Sequence, residues 1–533
     1  MKESIGNIIE QVQYLNTEAE RKYEYSYDKL NRMTKIVDPL EGVSSYEYDK
    51  DGNITKQIDP NGGETTYTYD AIGRIIKIED ELGENSYTYD AVGNLIKTTR
   101  PNGTVEERVY DTAYQLVEQI EKDEAEKEIS HLTYTYDKKG NITKTEGYKE
   151  IEEGISKLTS ATMKYDKANR LVEYNDEEVK YDADGNMIYG PIDGKMTELE
   201  YDCRNRLIKA GDITYEYDAE GNRIATNTPE YREEYVYDTV SNLLQVLVIK
   251  RYDVKDDVST SEEKYKEEVS NTIICYYGNG LLYEDNEKGT YYHHYNNIGS
   301  TIFLTNSSGK IVEEYSYGTY GELLSGDTSK TKYLYNGQYG IQTEINGLLY
   351  MRTRYYNPEV KRFINQDTVL GSITNSQSLN RYAYVQGNPI SLVDPFGMSP
   401  ENGKNAIGHT LLDFMGLIPG IGFVFDAANS AWYVAEDNYT MAALAAFAAI
   451  PGLGDAVSAG MLATKGAKAA ELCKIIKKLG YASKVAENVG ELAINGVTAY
   501  VDYAIKEKEF SIDTVASLLA AGLNGFGIYA SIK

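Results

Sequence analysis

Short runs that alternate tyrosine with polar residues punctuate the first half of the chain, as in YEYSYD at 23–28, YEYD at 46–49 and YTYD at 67–70 and 87–90. Period-two alternation puts the tyrosines of Y-x-Y on one face of a strand. Tyr-Asp recurs at Tyr27-Asp28, 48–49, 69–70, 89–90, 110–111, 136–137, 165–166, 181–182, 201–202, 217–218 and 237–238, mostly 20 or 21 residues apart. Three residues after the Asp stands Gly or Asn in nine of the eleven copies, and five after it Leu, Ile or Met in ten. The Asp can accept backbone N–H bonds as the chain turns, Gly or Asn tolerates a left-handed backbone, and the aliphatic residue starts the return strand. Each unit is then a strand–turn–strand element that cannot bury its own apolar face. Stacked side by side, such units make one long sheet with tyrosine ladders.

Calcium binding is another use for a repeated Asp. One carboxylate per turn falls well short of the ~6–8 oxygens that ion prefers, so the turn-forming reading is the simpler one. Two acidic stretches, EQIEKDEAEKEIS at 118–130 and KDDVSTSEEKYKEE at 255–268, read as solvated insertions.

The pattern changes across SLVDPFGMSPENG at 391–403. Before Ser399 there are 44 tyrosines and 12 alanines in 398 residues; from Ser399 there are 6 tyrosines and 26 alanines in 135. The later part reads as helix. FMGLIPGIGFVFDAANSAWYVA at 414–435 and AALAAFAAIPGLGDAVSAGM at 442–461 share an I-P-G-x-G interruption, and Leu472, Ile475, Ile476 and Leu479 fall at helical spacing. Pro-Gly breaks each apolar run before the ~20 residues of a transmembrane helix, which favours paired helical hairpins.

Charge and composition narrow the chemistry. The formal charge is −29, of which the 13 acids and 10 lysines from Ser399 onward supply −3 and the first part −26. A phosphate backbone would be repelled by that field, so the large domain is not expected to bind nucleic acid. Cys203, Cys275 and Cys473 provide neither a disulfide framework nor zinc-ligand spacing. The adjacent His293 and His294 would face opposite sides of a strand and so read as sheet residues, not as a chelating pair. No cofactor or metal is expected. The first twenty residues hold no apolar core of signal-peptide length, so secretion or surface display would need another route or an upstream segment. The tail has one histidine, His409, and no arginine, and it lacks the H-x-E and P-C-x-x-C of a zinc deaminase. That inventory disfavours an ordinary nuclease or deaminase.

YEYDKDGNITKQIDPNG and YTYDAVGNLIKTTRPNG resemble the YD repeats of the Rhs family, whose relatives include bacterial wall-associated toxins, the C components of insecticidal toxin complexes and animal teneurins. YYHHYNNIGSTIFLTNSSGKIVEEYSYGTYGELL at 291–324, YLYNGQYGIQTEINGLLYMRTRYYNPEVKRFINQD at 333–367 and RYAYVQGNPISLVDPFGM at 381–398 resemble that family's core. The resemblance implies a mainly β protein in which the repeats wind into a spiralling sheet or shell around a C-terminal toxin. It divides the chain into an N-terminal segment (1–20), YD repeats (21–250), an acidic insertion (251–272), an Rhs-associated core (273–398) and an α-helical, pre-toxin-like or effector region (399–533).

The resemblance also implies an aspartic autoprotease that acts only in cis and cuts just after D-P-x-G-L. Here the last letter is Met398, a volume-conserving substitute, which puts the bond at Met398–Ser399. The residues matching the family's catalytic positions are Arg354, Asp367 and Asp394. Two carboxylates brought together do not both ionise easily; the protonated one can polarise a carbonyl while the other activates water. An arginine can orient a carboxylate bidentately. Asp394 lies four residues before the bond, which is thus delivered at high effective concentration. Taken without the resemblance, Asp394-Pro395 could simply begin a turn, and Arg354–Asp367 could be a buried ion pair.

Three functions therefore stand. One is a toxin shell that cleaves itself to release its own C-terminal segment, with a partner shell half or delivery apparatus and an immunity protein as partners. The second is a cell-surface protein whose tyrosine sheets bind glycans. The third is a membrane-active effector working through the helical tail.

Overall fold

The computed structural model describes residues 7–13, 21–40, 42–147, 160–240, 244–255, 265–266, 268–367, 376–398 and the strand Glu401–Asn402. The chain divides into two compact units. The first comprises Met1–Asp166, Leu171–Asn365 and Asn388–Gly397; the second comprises Lys167–Arg170, Gln366–Gly387 and Met398–Lys533. Apart from the short strand Glu401–Asn402, the expected helical region lies outside the described residues, as do most of residues 255–268.

The first unit is built from antiparallel strands in chain order. A thirteen-stranded sheet runs from Glu10–Gln13 to Ile142–Glu146, and a second of thirteen strands runs from Lys180–Tyr181 to Ile311–Glu314. A three-stranded sheet, Met163–Tyr165, Leu171–Tyr174 and Glu177–Glu178, stands between them in sequence.

Each repeat turns as its residue types dictate. In the copy at Asp49, one carboxylate oxygen accepts the N–H groups of Asp51 and Asn53, both at 2.9 Å, and the other accepts the Asn53 side-chain amide at 2.8 Å. Gly52 sits at φ 96°, and the ladder register shifts between Glu47 and Tyr48. Asn31 takes the same place at φ 63°. This is a three-residue hairpin loop closed by a left-handed residue and a bulge. The Asn53 amide and the turn's N–H groups hold the Asp49 carboxyl below its ordinary range, so the anion is the form the turn uses. Both carboxylate oxygens serve the turn, as the turn-forming reading expects.

The tyrosine before each Asp does more than line a face. Ladder pairing between neighbouring hairpins is short: Ile54–Ile58 meets Glu64–Tyr69 only from Ile58↔Glu64 to Lys56↔Thr66. Beyond it the strands splay, and the Tyr69 hydroxyl donates to the Ile54 carbonyl at 2.8 Å. Tyr89 reaches Ile75 at 2.9 Å, Tyr110 reaches Leu95 at 3.0 Å, Tyr136 reaches Leu116 at 2.7 Å and Tyr217 reaches Leu207 at 2.8 Å. In every case the acceptor is the residue five after the preceding repeat's Asp. One slot thus supplies an apolar side chain to its own hairpin and a carbonyl to the next.

The two large sheets face each other with a nearly constant offset in sequence. Tyr46 bonds Asp238 at 2.9 Å, Tyr276 bonds Glu81 at 2.9 Å and Asn102 bonds Thr305 at 2.8 Å. Apolar clusters accompany these bonds, one joining Ile78 and Tyr87 to Tyr276, Leu282, Tyr283 and Tyr292. The second sheet therefore follows the first in the same chain order.

The stretch at 118–130 differs from the expected insertion. Leu116–Lys122 and Glu128–Tyr136 form a hairpin, and only the turn between them is solvated. Alternation points Gln119 and Glu121 inward, and Glu121 is 1% exposed and paired with Arg100 at 3.0 Å. His293 and His294 are sheet residues on opposite faces, as expected. His293 meets Glu284 at 3.0 Å, whereas His294 meets Glu121 of the first sheet at 3.1 Å.

Candidate functional site

After the second large sheet the chain forms a small four-stranded sheet: Gln342–Thr343, Leu349–Met351, Arg354–Asn357 and Arg362–Phe363. Leu348, Tyr350, Tyr355, Val360 and Ile364 pack it into one core with Leu199, Leu207, Ile213 and Tyr215 of the repeats. The attachment centres on Arg223, which is fully buried. Its guanidinium pairs with Glu344, bonds Gln342 and the Tyr355 hydroxyl, and lies 4.0 Å from the centre of the Tyr350 ring. Arg223 is the one member of its slot, five after Asp218, that is not Leu, Ile or Met. That exception was visible in the repeat; its meaning was not.

The same sheet carries Arg354, 5% exposed, whose guanidinium lies 3.6 Å from the centre of the Phe363 ring. It forms an ion pair with Asp394 at 3.5 Å, and Asp394 is 3% exposed. Two of the three expected catalytic residues are therefore together. Asp367 belongs to the second unit, where it is half-buried. There its N–H donates to the Arg381 carbonyl at 3.0 Å and its carbonyl accepts from Arg381 Nε at 2.8 Å. Met398 also falls in the second unit, and Ser399 lies outside the described residues.

The segment after Asp394 lies along residues 352–354. Arg352 donates to the Pro395 carbonyl, Thr353 Oγ1 to the Phe396 carbonyl at 2.6 Å, and Arg354 Nε to the Gly397 carbonyl. The Thr353 hydroxyl is also 3.1 Å from the Gly397 carbonyl oxygen, and Gly397 N–H donates to the Asp394 carbonyl at 3.3 Å. Arg352 further bonds the carbonyls of Leu244 at 3.0 Å and Tyr339 at 2.7 Å, which ties this segment to the body of the unit.

The glycine of D-P-x-G has a steric reason. Gly397 sits at φ 68°, and a Cβ there would lie 2.5 Å from the Met351 carbonyl oxygen and 3.0 Å from Thr353 Oγ1. A side chain would meet both backbone strain and a backbone atom that cannot move aside. The motif is thus a turn whose end must approach another strand closely.

A long antiparallel array of Asp-turn hairpins, closed by a small sheet that grips a D-P-x-G segment, is the architecture of a YD-repeat protein. The chain belongs to the Teneurin YD-shell family, which matches residues 2–126, 102–256 and 257–390. It is 32% identical over 262 residues to the tRNA3(Ser)-specific nuclease WapA of Bacillus spizizenii, covering 46% of this chain and 10% of that one. It is 30% identical over 115 residues to the toxin subunit YenC1 of Yersinia entomophaga, covering 20% of this chain and 11% of that one. Among solved structures, a TcdB2–TccC3–TEV crystal structure shares the fold, with TM-score 0.51, 17% identity, and coverage of 74% of this chain and 23% of that one. The chain thus spans about a tenth of the length of these two curated relatives.

Proposed function

We propose that this chain is the YD-repeat shell of a polymorphic toxin system, and that it cuts itself at Met398–Ser399 to release its variable C-terminal region. The observation that carries the reading is the D-P-x-G segment held carbonyl by carbonyl beside the Arg354–Asp394 pair. A buried turn needs one or two bonds to stay in place, whereas a substrate needs its backbone fixed in register.

In the proposed reaction Asp367 and Asp394 share one proton. The protonated carboxyl polarises the Met398 carbonyl, and the other removes a proton from water as its oxygen attacks the carbon. The C–N bond then breaks, with the proton passing to the Ser399 nitrogen. The products are a Met398 carboxylate and a Ser399 amine. Arg354 keeps one carboxylate charged and oriented. The region from 399 onward would be the cargo, consistent with its change of composition. The likeness to YenC1 and to TcdB2–TccC3 suggests a partner shell half or delivery subunit, together with export by a route encoded elsewhere.

Freshly expressed wild-type protein run on a denaturing gel tests this. Two fragments are expected, and Asp367→Asn and Asp394→Asn should each leave the chain whole, because an amide can neither take nor give the required proton. Cutting of both variants at the wild-type rate would refute the assignment.

A further inference from the structure

Arg352, Thr353 and Arg354 grip the carbonyls of Pro395, Phe396 and Gly397 in order, each donor 43 residues before its acceptor. Three consecutive side chains holding three consecutive carbonyls at one offset is a register, not a single anchor. Side chains on a strand alternate faces, so two arginines flanking a threonine would ordinarily point one way and the threonine the other. Here Arg352 and Thr353 lie in the turn between Leu349–Met351 and Arg354–Asn357, with Arg352 at φ 59°. That left-handed residue breaks the alternation and lets all three donors meet the same segment. Thr353 has the shortest side chain of the three, and its hydroxyl lies 2.6 Å and 3.1 Å from two successive carbonyl oxygens.

We infer that Thr353 is a positioning residue for the self-cleavage proposed above, setting the register of the segment that leads to the cut bond; the inference rests on that reading. The two arginines have other tasks. Arg352 also holds Leu244 and Tyr339, and Arg354 also holds Asp394. The hydroxyl of Thr353 has a single proton to donate, and both carbonyl oxygens within its reach, those of Phe396 and Gly397, lie on the D-P-x-G segment. It therefore determines where along the strand Gly397 sits, and through Gly397 where the next peptide bond falls. Its acceptors all lie on the amino-terminal side of the cut, so the hold on residues 395–397 persists in the product. The new carboxyl terminus then stays seated, and each chain cleaves once.

The test follows the fraction of full-length chain with time after synthesis for wild type, Thr353→Val, Thr353→Ser and Asp394→Asn. Valine keeps the volume and removes the donor; serine keeps the donor. Loss of register by a fraction of an ångström is expected to slow cleavage by roughly 10- to 100-fold in Thr353→Val. Serine should stay within about threefold of wild type. Thermal unfolding of the same proteins, each placed on the uncut Asp394→Asn background, separates positioning from stability. If Thr353→Val cuts as fast as wild type, or if valine and serine slow it equally, the inference fails while self-cleavage stands. If wild type stays whole, both fall. Should the valine protein not fold, Thr353→Ala removes the same donor without bulk and is read the same way.

Discussion

The repeat sheets and the closing core use the same chemistry at opposite economies. In the repeats, one arrangement recurs: an Asp that closes its turn, and a Tyr hydroxyl that bonds the carbonyl five residues beyond the previous Asp. In the core each contact occurs once, as with Arg223 on Glu344 or Thr353 on Phe396. A repeated device spreads stability over many weak bonds, so no single one decides the fold. A device used once concentrates consequence in one residue, which suits a site that must hold one peptide in one register.

Arg223→Met is expected to break that contrast most severely. It leaves Glu344 buried without its cation and removes the hub of the small sheet, a loss of about 3–5 kcal/mol. Chemical denaturation of the uncut protein measures it. A loss near that of a surface substitution would show that the core is held as diffusely as the repeats.

Acid sharpens the comparison along the seam between the large sheets. Burial pushes His294 down from 6.5 to about 4, against the pull of Glu121. Glu121 is itself desolvated, yet Arg100 and His294 bring it down to about 2. The unfolded chain binds the histidine proton at higher pH than the folded one, so this stability is present above pH 6.5 and lost as pH falls towards 4. Between pH 8 and pH 5 the loss is about 2 kcal/mol. His294→Gln should flatten this part of the profile, and an unchanged slope would remove His294 as its source. Glu121 acts in a lower window, from its unfolded value near 4.5 towards 2, with the same sign.

The smallest effect belongs to the repeats. Tyr69→Phe deletes one hydroxyl–carbonyl bond and should cost about 1 kcal/mol. Tyr136→Phe should cost a similar amount, and the double variant their sum, because the two bonds lie in hairpins that do not adjoin. Strong non-additivity would mean that the ladder acts as a unit.

How legible each region was follows from the same difference. The turns could be read directly, because Asp, Gly or Asn, and the aliphatic residue act within six positions of each other. The hydroxyl–carbonyl bonds could not, because they depend on where neighbouring hairpins stop pairing. Glu121 seemed solvated amid EQIEKDEAEKE, since a local charge run does not reveal an Arg100 brought in from a neighbouring hairpin. Arg354 and Asp394, 40 positions apart, could be paired only through resemblance to a family. Arg352 and Thr353 were hidden beside Arg354, because nothing in R-T-R says that the strand before it turns left-handed.

The most direct measurement is the amino-terminal sequence of the smaller fragment from freshly made wild-type protein, taken beside Asp394→Asn. A fragment beginning at Ser399 is expected in the first and a single intact chain in the second. A wild-type chain that stays whole while folded, or a fragment that begins elsewhere, would contradict that expectation and leave Asp394 a turn residue.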